Sequence, residues 1–305
     1  MSAPRKLYPV GSRIVVLLPY LWLVAFLLAP FLIVAKLSLS QVVIAQPPYA
    51  PVLDPSAGLA GLRTFIDALS LENYRTLFSD TLYIASFLKS LQVASVSTLL
   101  LMAVALPIAY AMSRAPRALQ PALAIAVMLP FWTAFLIRIY AWITILQREG
   151  LINHVLIALR IIDEPIPMLA SDAAVYVGIV YSYLPFMVLP LYSSLEKMDY
   201  TLIEAAKDLG CPPTAAFWKI TFPLSLPGVI AGCLLVFIPA VGEFVIPDLL
   251  GGSQTLMIGK TLWNEFFANR DWPVSSAVAV ILLLLLVVPI MIFQQAQARA
   301  QEAGR

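Results

Sequence analysis

Apolar residues in this chain come in long runs, and the polar residues gather in the stretches between them. Six runs stand out, at about 14–35, 82–113, 121–146, 173–195, 228–250 and 274–293. A bilayer core about 30 Å thick needs roughly 20 apolar residues when crossed as a helix. Backbone groups inside lipid must be paired within their own segment, so helices are the expected form. The pattern therefore predicts an all-α polytopic membrane protein with six transmembrane helices. The first run holds about 22 residues. A cleavable signal peptide has an apolar core of only about 7–15, so an uncleaved first span is expected. The second run is longer than a bilayer needs, which predicts a tilted or extended helix. Ser86, Ser90, Ser95, Ser97 and Thr98 in it suit close helix packing. Lys89, near its outer end, is expected to snorkel to water.

The segment between the fourth and fifth runs has a different pattern. Leu202, Ala205, Ala206 and Leu209 recur at helical spacing, with Glu204, Lys207 and Asp208 on the other face. Thr201 and Glu204 have the spacing of a capping box, and Gly210 is a natural left-handed stop. Pro212 and Pro213 break the helix, and Thr214 is placed to cap a second one ending near Ile220. A short helix–turn–helix is expected here, with small alanines where another backbone could come close. A further amphipathic helix is expected near 71–78, in the loop after the first span.

Composition supports the membrane reading. The chain has 305 residues, 61% hydrophobic and 12% charged, with mean hydropathy +0.90. Soluble domains carry roughly 25% charged residues. The basic residues are scattered, so no nucleic-acid partner is expected. Cys211 and Cys233 offer neither a disulfide framework nor metal spacing, and His154 is the only histidine. Six spans put both termini and the polar 196–226 segment on one side. That side carries ten Lys/Arg against seven on the other, with Lys89 and Arg138 inside spans. This bias places the termini in the cytoplasm. Acids are skewed the other way, five against eleven, which gives the outer face a negative potential. Three sections are expected: 1–80 with the first span and an outer loop, a core at 81–295, and a polar tail at 296–305.

Candidate chemistry is sparse. Lys260 follows Gly259, but no glycine stands where a phosphate-binding loop requires one. The chain is not expected to be an ATPase or any other enzyme, nor to hold a metal or cofactor of its own. Glu243 lies within the fifth run, where a carboxylate costs about 2.5–3.5 kcal/mol to insert and usually faces a cavity or a partner. Pro239 and Gly242 let the helix bend beside it. Glu243 with Phe244 offers a charge and an aromatic face to an ammonium ligand. The alternative is a structural pair with Arg138 or Lys89. Trp132, Tyr140, Trp142, Tyr181, Tyr183 and Phe186 could line a passage collectively, or pack and anchor individually.

Two resemblances narrow the reading. Glu204-Ala205-Ala206, then Gly210, Ile220 and Phe222-Pro223 at fixed spacing, resembles the EAA loop of ABC importer permeases. The family usually has Leu-Pro where this chain has Phe222-Pro223. The resemblance implies a type I importer (MetI-like) transmembrane domain. It also assigns Glu204, Ala205, Ala206, Asp208, Gly210, Ile220 and Pro223 to contact with a cytoplasmic ATPase. Leu129-Pro-Phe-Trp-Thr-Ala-Phe-Leu-Ile-Arg-Ile-Tyr-Ala-Trp142, the stretch Phe237–Gly252 and the stretch Trp263–Pro273 are similar to the polyamine (spermidine/putrescine) permeases, most closely the PotH type. That implies a multi-pass inner-membrane subunit importing polyamines, with putrescine favoured over spermidine. It implies a homologous second permease, an ATPase dimer that binds ATP and Mg, and a periplasmic polyamine-binding protein. Glu243, Phe244, Trp132, Tyr140 and Asp248 become the expected substrate passage. The alternatives are a permease for another small solute or an ion-coupled secondary transporter.

Overall fold

The computed structural model describes residues 10–52, 58–253 and 255–303. The basic residues Arg5, Lys6 and Arg305 lie outside it. The described chain forms two compact units, 1–81 with 262–305, and 82–261.

In the first unit, α1 (Val10–Leu23) and α2 (Ala29–Ser38) run on through a π-turn at Val24–Leu28. Their stretch Leu17–Ser38 is long and apolar enough to cross a membrane; its side chains face outward as far as Ile33, while Lys36 and Leu37 are half-buried and Ser38 is buried. An apolar helix exposed all round over most of its length suits lipid there. A small hairpin follows, β1 (Gln41–Val42) against β2 (Tyr49–Ala50), antiparallel, pairing Gln41 with Ala50 and Val42 with Tyr49. Next come α3 (Gly58–Asp67) and α4 (Glu72–Ser79). The second of these is the amphipathic helix expected near 71–78. It is tied to the end of α2: Asn73 Nδ2 donates to the carbonyls of Ser38 and Ser40, and Tyr74 Oη to Ser38 Oγ.

The second unit holds most of the apolar core. The spans α5 (Thr81–Arg114) and α9 (Asp172–Glu196) are continuous helices. With α12 (Phe222–Val241) they bury Leu101, Ala105, Met187, Leu191 and Val236. Close approach depends on small residues. A Cβ on Gly228 would stand 2.5 Å from Ser194 Cβ and 2.7 Å from the Pro190 carbonyl. Ser90 does more than pack. Its Oγ accepts from the Ile258 amide at the start of α14 (Ile258–Trp263), and Thr261 Oγ1 donates to Ser86 Oγ.

Three expected spans differ in outline. The third is broken: α6 (Gln120–Met128) passes through a 3-10 turn at Leu129–Trp132, and α7 (Phe135–Leu146) leaves at 84° to it. Pro130 cannot donate to a helical ladder. Thr133 and Ala134 are extended, and Thr133 Oγ1 donates to the Pro130 carbonyl, so the helix axis turns there. A short α8 (Leu151–Ala158) follows. The fifth span starts earlier and ends earlier than expected, covering Pro213–Val241. It opens with α11 (Pro213–Ala216), takes one π-turn at Phe217–Thr221 and continues as α12. The wide turn just before Pro223 accommodates a ring that cannot donate back. Hence no second loop helix stops near Ile220. After Val241 the chain breaks, and α13 (Val245–Leu250) is separate. The last helix, α15 (Trp272–Ala303), runs on past the expected end at 293.

Candidate functional site

The polar segment between α9 and α12 is ordered by one short helix, α10 (Thr201–Asp208). The expected capping box does not form. Instead Asp199 Oδ1 accepts from the Thr201 amide, 3.0 Å away, and the cap residue Tyr200 makes no side-chain cap. This bond holds the Asp199 carboxyl below the usual carboxylate range. A shorter route to the first free amide has displaced the Thr201–Glu204 pairing. Thr214 does not cap either; Pro212 is extended and Pro213 opens α11. The stop at Gly210 is as expected. Its φ is +80°, a left-handed conformation, and the Cys211 amide closes on the Ala206 carbonyl.

The faces of α10 sort its residues. Ile203 is buried, while Leu202, Glu204, Ala205 and Asp208 are exposed and Ala206 is half-buried. Leu209 is 89% exposed, and Trp218, on the neighbouring π-turn, 61%. Ile220 is half-buried and Pro223 exposed on the following helix. The apolar side chains that sequence spacing aligned are thus presented outward.

The loop is braced against the turn between α5 and α6. Arg114 stacks over the Tyr200 ring, 4.3 Å from its centre. Tyr200 Oη donates to the carbonyls of Ser113 and Leu195. Gln120 Nε2 donates to the Ser113 and Ala115 carbonyls, and Tyr192 Oη donates to Gln120 Oε1. Between the loop and this turn lies an open cleft of about 940 Å³, with Arg117, Glu196, Asp199 and Glu204 on its walls. Tyr200 and Gln120 escaped the sequence reading. Their periodicity is unremarkable, and only the fold brings 113–120 beside 192–200.

The second site is the break after α12. Glu243 is 9% exposed. Its Oε1 accepts from the amides of Phe244, Val245 and Ile246, at 3.1, 3.0 and 3.4 Å, and its Oε2 from Tyr183 Oη at 2.7 Å. The carboxylate therefore caps α13, where the dipole and unpaired amides favour negative charge. It pairs with neither Arg138 nor Lys89. Lys89 does not snorkel to water; it pairs with Asp172, whose other oxygen accepts from Thr255 Oγ1 at 2.6 Å. Asp248 pairs with Lys260 at 3.0 Å.

The expected passage residues do not form one cluster. Glu243 and Tyr183 meet directly, and Tyr183 packs on Phe186, which meets Phe131 edge to face. Trp142 packs on Tyr181. Trp132 is 73% and Tyr140 56% exposed, on the outer faces of the broken third span. Phe244 is half-buried beside the break.

Comparison with known proteins agrees with this architecture. The family described as "Binding-protein-dependent transport system inner membrane component" matches residues 2–302. The spermidine/putrescine transport system permease protein PotB of Haemophilus influenzae is 37% identical over 285 residues, 93% of each chain. Its namesake from Escherichia coli is 41% identical over 227 residues, 74% of this chain and 82% of that one. Among solved structures, a bacterial ABC transporter that imports the acidic polysaccharide alginate superposes with a TM-score of 0.67. That match covers 94% of this chain and 95% of the other at 13% identity, a likeness of fold. The all-α fold is thus that of a type I ABC importer transmembrane domain. The chain belongs to the inner membrane components of binding-protein-dependent transport systems, multi-pass permeases rather than ATPases.

Proposed function

We propose that this chain is one permease subunit of an ATP-driven importer for polyamines. Sustained identity to two spermidine/putrescine permeases, over most of the chain, carries the substrate assignment. The Lys/Arg bias supports cytoplasmic termini and a cytoplasmic 196–226 loop. On that side an ATPase dimer, holding ATP and Mg, would receive the loop. On the other, a periplasmic polyamine-binding protein would deliver ligand, and a homologous second permease would complete the pore.

The outward face of α10 supports the coupling role. Leu202, Ala205 and Leu209 are exposed in a loop that is otherwise polar, a partner surface rather than a core face. Glu204, Ala206, Asp208, Gly210, Ile220 and Pro223 belong to the same assignment. Motion of a docked ATPase reaches α5 and α6 through Tyr200, Arg114 and Gln120, and α12 through the continuous helix after Pro213. The cavity alternates between outward and inward access as that motion is passed on.

Glu243, Phe244, Trp132, Tyr140 and Asp248 are assigned to the passage. They divide by availability. Trp132 and Tyr140 offer open aromatic faces to an ammonium group. Glu243 and Asp248 already hold partners, so a passing cation meets them only by competing with Tyr183 and Lys260. The PotH-type likeness and a preference for putrescine over spermidine form the finer part of the reading. The relatives named above carry both polyamines in their names, so the two ligands must be set against each other.

Uptake of labelled putrescine in cells with and without this chain, competed by unlabelled spermidine, is the test. Loss on deletion with weak competition is the expected result. Strong competition would assign a carrier of both, and unchanged uptake without a redundant importer would remove the polyamine assignment. Uptake that survives ATP depletion but collapses with an uncoupler would favour ion coupling instead.

A further inference from the structure

Arg138 is a charged group that neither site uses. It stands on α7, just past the extended Thr133–Ala134 hinge, and is 7% exposed. Its guanidinium carbon lies 5.1 Å from the Phe131 ring centre and 5.7 Å from that of Phe135. Its Nε is buried with no hydrogen-bond partner, and among the described residues no ion pair reaches it. An arginine does not shed its proton to escape such a place. Aromatic faces answer part of the charge, but a buried cation in a span is normally matched by an anion.

Among the described residues, the acids in this chain's spans do not supply the anion. Glu243 is held by Tyr183 and three amides, Asp248 by Lys260 and Asp172 by Lys89. Glu196 stands at the far end of α9. A second copy of the chain would bring the same committed acids within its spans. Yet space is provided. A cavity of about 310 Å³ opens beside Arg138, walled by Thr133, Ile137, Ala141, Trp142 and Tyr181. That is room enough for an entering side chain. Of its walls, Ile137 is itself exposed at the protein surface.

The depth of the cavity decides between two sources of negative charge. Tyr181 lies nine residues into α9 from Asp172, about 13 Å along the helix at 1.5 Å per residue. In a core about 30 Å thick this is close to the middle, out of reach of lipid phosphates. A carboxylate on another protein span is the chemistry that fits.

We propose that this face of α7 is an interface with the second permease, and that an Asp or Glu from one of its spans enters the cavity and pairs with Arg138. The pair removes a positive charge that would otherwise repel a cationic substrate. The inference rests on the two-permease reading above.

The test uses the assembled complex, co-expressed with its second permease and ATPase. A photo-crosslinking residue replaces Ile137, and separately Arg138→Glu is made. The expected results are a crosslink joining the two different permeases, and a loss of roughly tenfold or more in second permease recovered with Arg138→Glu. Changing one intramembrane acid of the second permease to Arg should restore recovery. Crosslinks to lipid alone, or to a second copy of this chain, would overturn the interface. Failure of every such reversal to restore Arg138→Glu would overturn the ion pair. Polyamine uptake by the unsubstituted complex is measured alongside. A complex that crosslinks as expected but takes up no polyamine supports the interface while refuting the substrate assignment.

Discussion

Glu204 and Glu243 are both acids beside small or bent backbone, and the structure treats them in opposite ways. Glu204 is exposed on a short helix whose apolar neighbours also face outward. Glu243 is enclosed by four donors at a helix start. One carboxylate is left exposed to solvent; the other is consumed in shaping the chain. A charged residue in an apolar chain therefore says little until its hydrogen bonds are counted.

The largest expected effects fall at the free site. Gly210→Val forces a β-branched residue into a left-handed conformation, which costs roughly 1–2 kcal/mol of local strain. No atom lies within 4 Å of the new Cβ, so the damage is confined to loop geometry. ATP-driven uptake should fall tenfold or more at normal membrane levels of the chain, and Glu204→Lys should act likewise. Normal coupling in both variants would remove the docking role.

The enclosed site predicts a different signature. Glu243→Leu orphans three amides and a tyrosine hydroxyl, at about 1–3 kcal/mol for each group left unsatisfied. Thermal unfolding of the purified complex should move down clearly. Glu243→Gln keeps one oxygen for the amides and should shift it less. If Glu243→Gln leaves uptake unchanged as well, the carboxylate is structural and the transit role is lost.

Smaller effects follow at the exposed rings. Trp132→Ala and Tyr140→Ala should leave stability alone and lower uptake roughly two- to fivefold, the worth of an exposed cation–π contact of about 0.5–1 kcal/mol. An equal loss of stability would mark them as packing residues. The smallest change concerns Asp199. Its carboxyl is lowered from 3.8 by the hydrogen bonds from Thr201. A depressed acid contributes stability above its ordinary value and loses it as pH falls through the lowered one. Protection of the Thr201 amide from hydrogen exchange should therefore be flat from pH 7 to pH 5, whereas Asp199→Ala removes it throughout.

Much of this fold was legible because lipid permits few solutions. Long apolar runs become helices, and their order follows. Features set by short-range competition were less legible. Asp199 outcompeted the Thr201–Glu204 box for the first free amide. Pro239 and Gly242 marked one bend, but a 3-10 turn, an extended hinge and a self-capping glutamate are choices made by packing. The α10 face could be read from spacing alone. The Lys89–Asp172–Thr255 cluster could not, since it joins three segments far apart in sequence. Arg138 was conspicuous as a charge in an apolar run, yet its environment emerged only with the break in its span.

The most direct measurement is ATP-dependent accumulation of labelled putrescine and spermidine in proteoliposomes. They would hold this chain, its second permease and the ATPase, with binding protein outside and ATP inside. Accumulation that requires all four proteins, that Gly210→Val abolishes and that Glu243→Gln lowers, is the predicted result. Accumulation without ATP or ATPase, or none of either polyamine with all four present, would contradict the assignment.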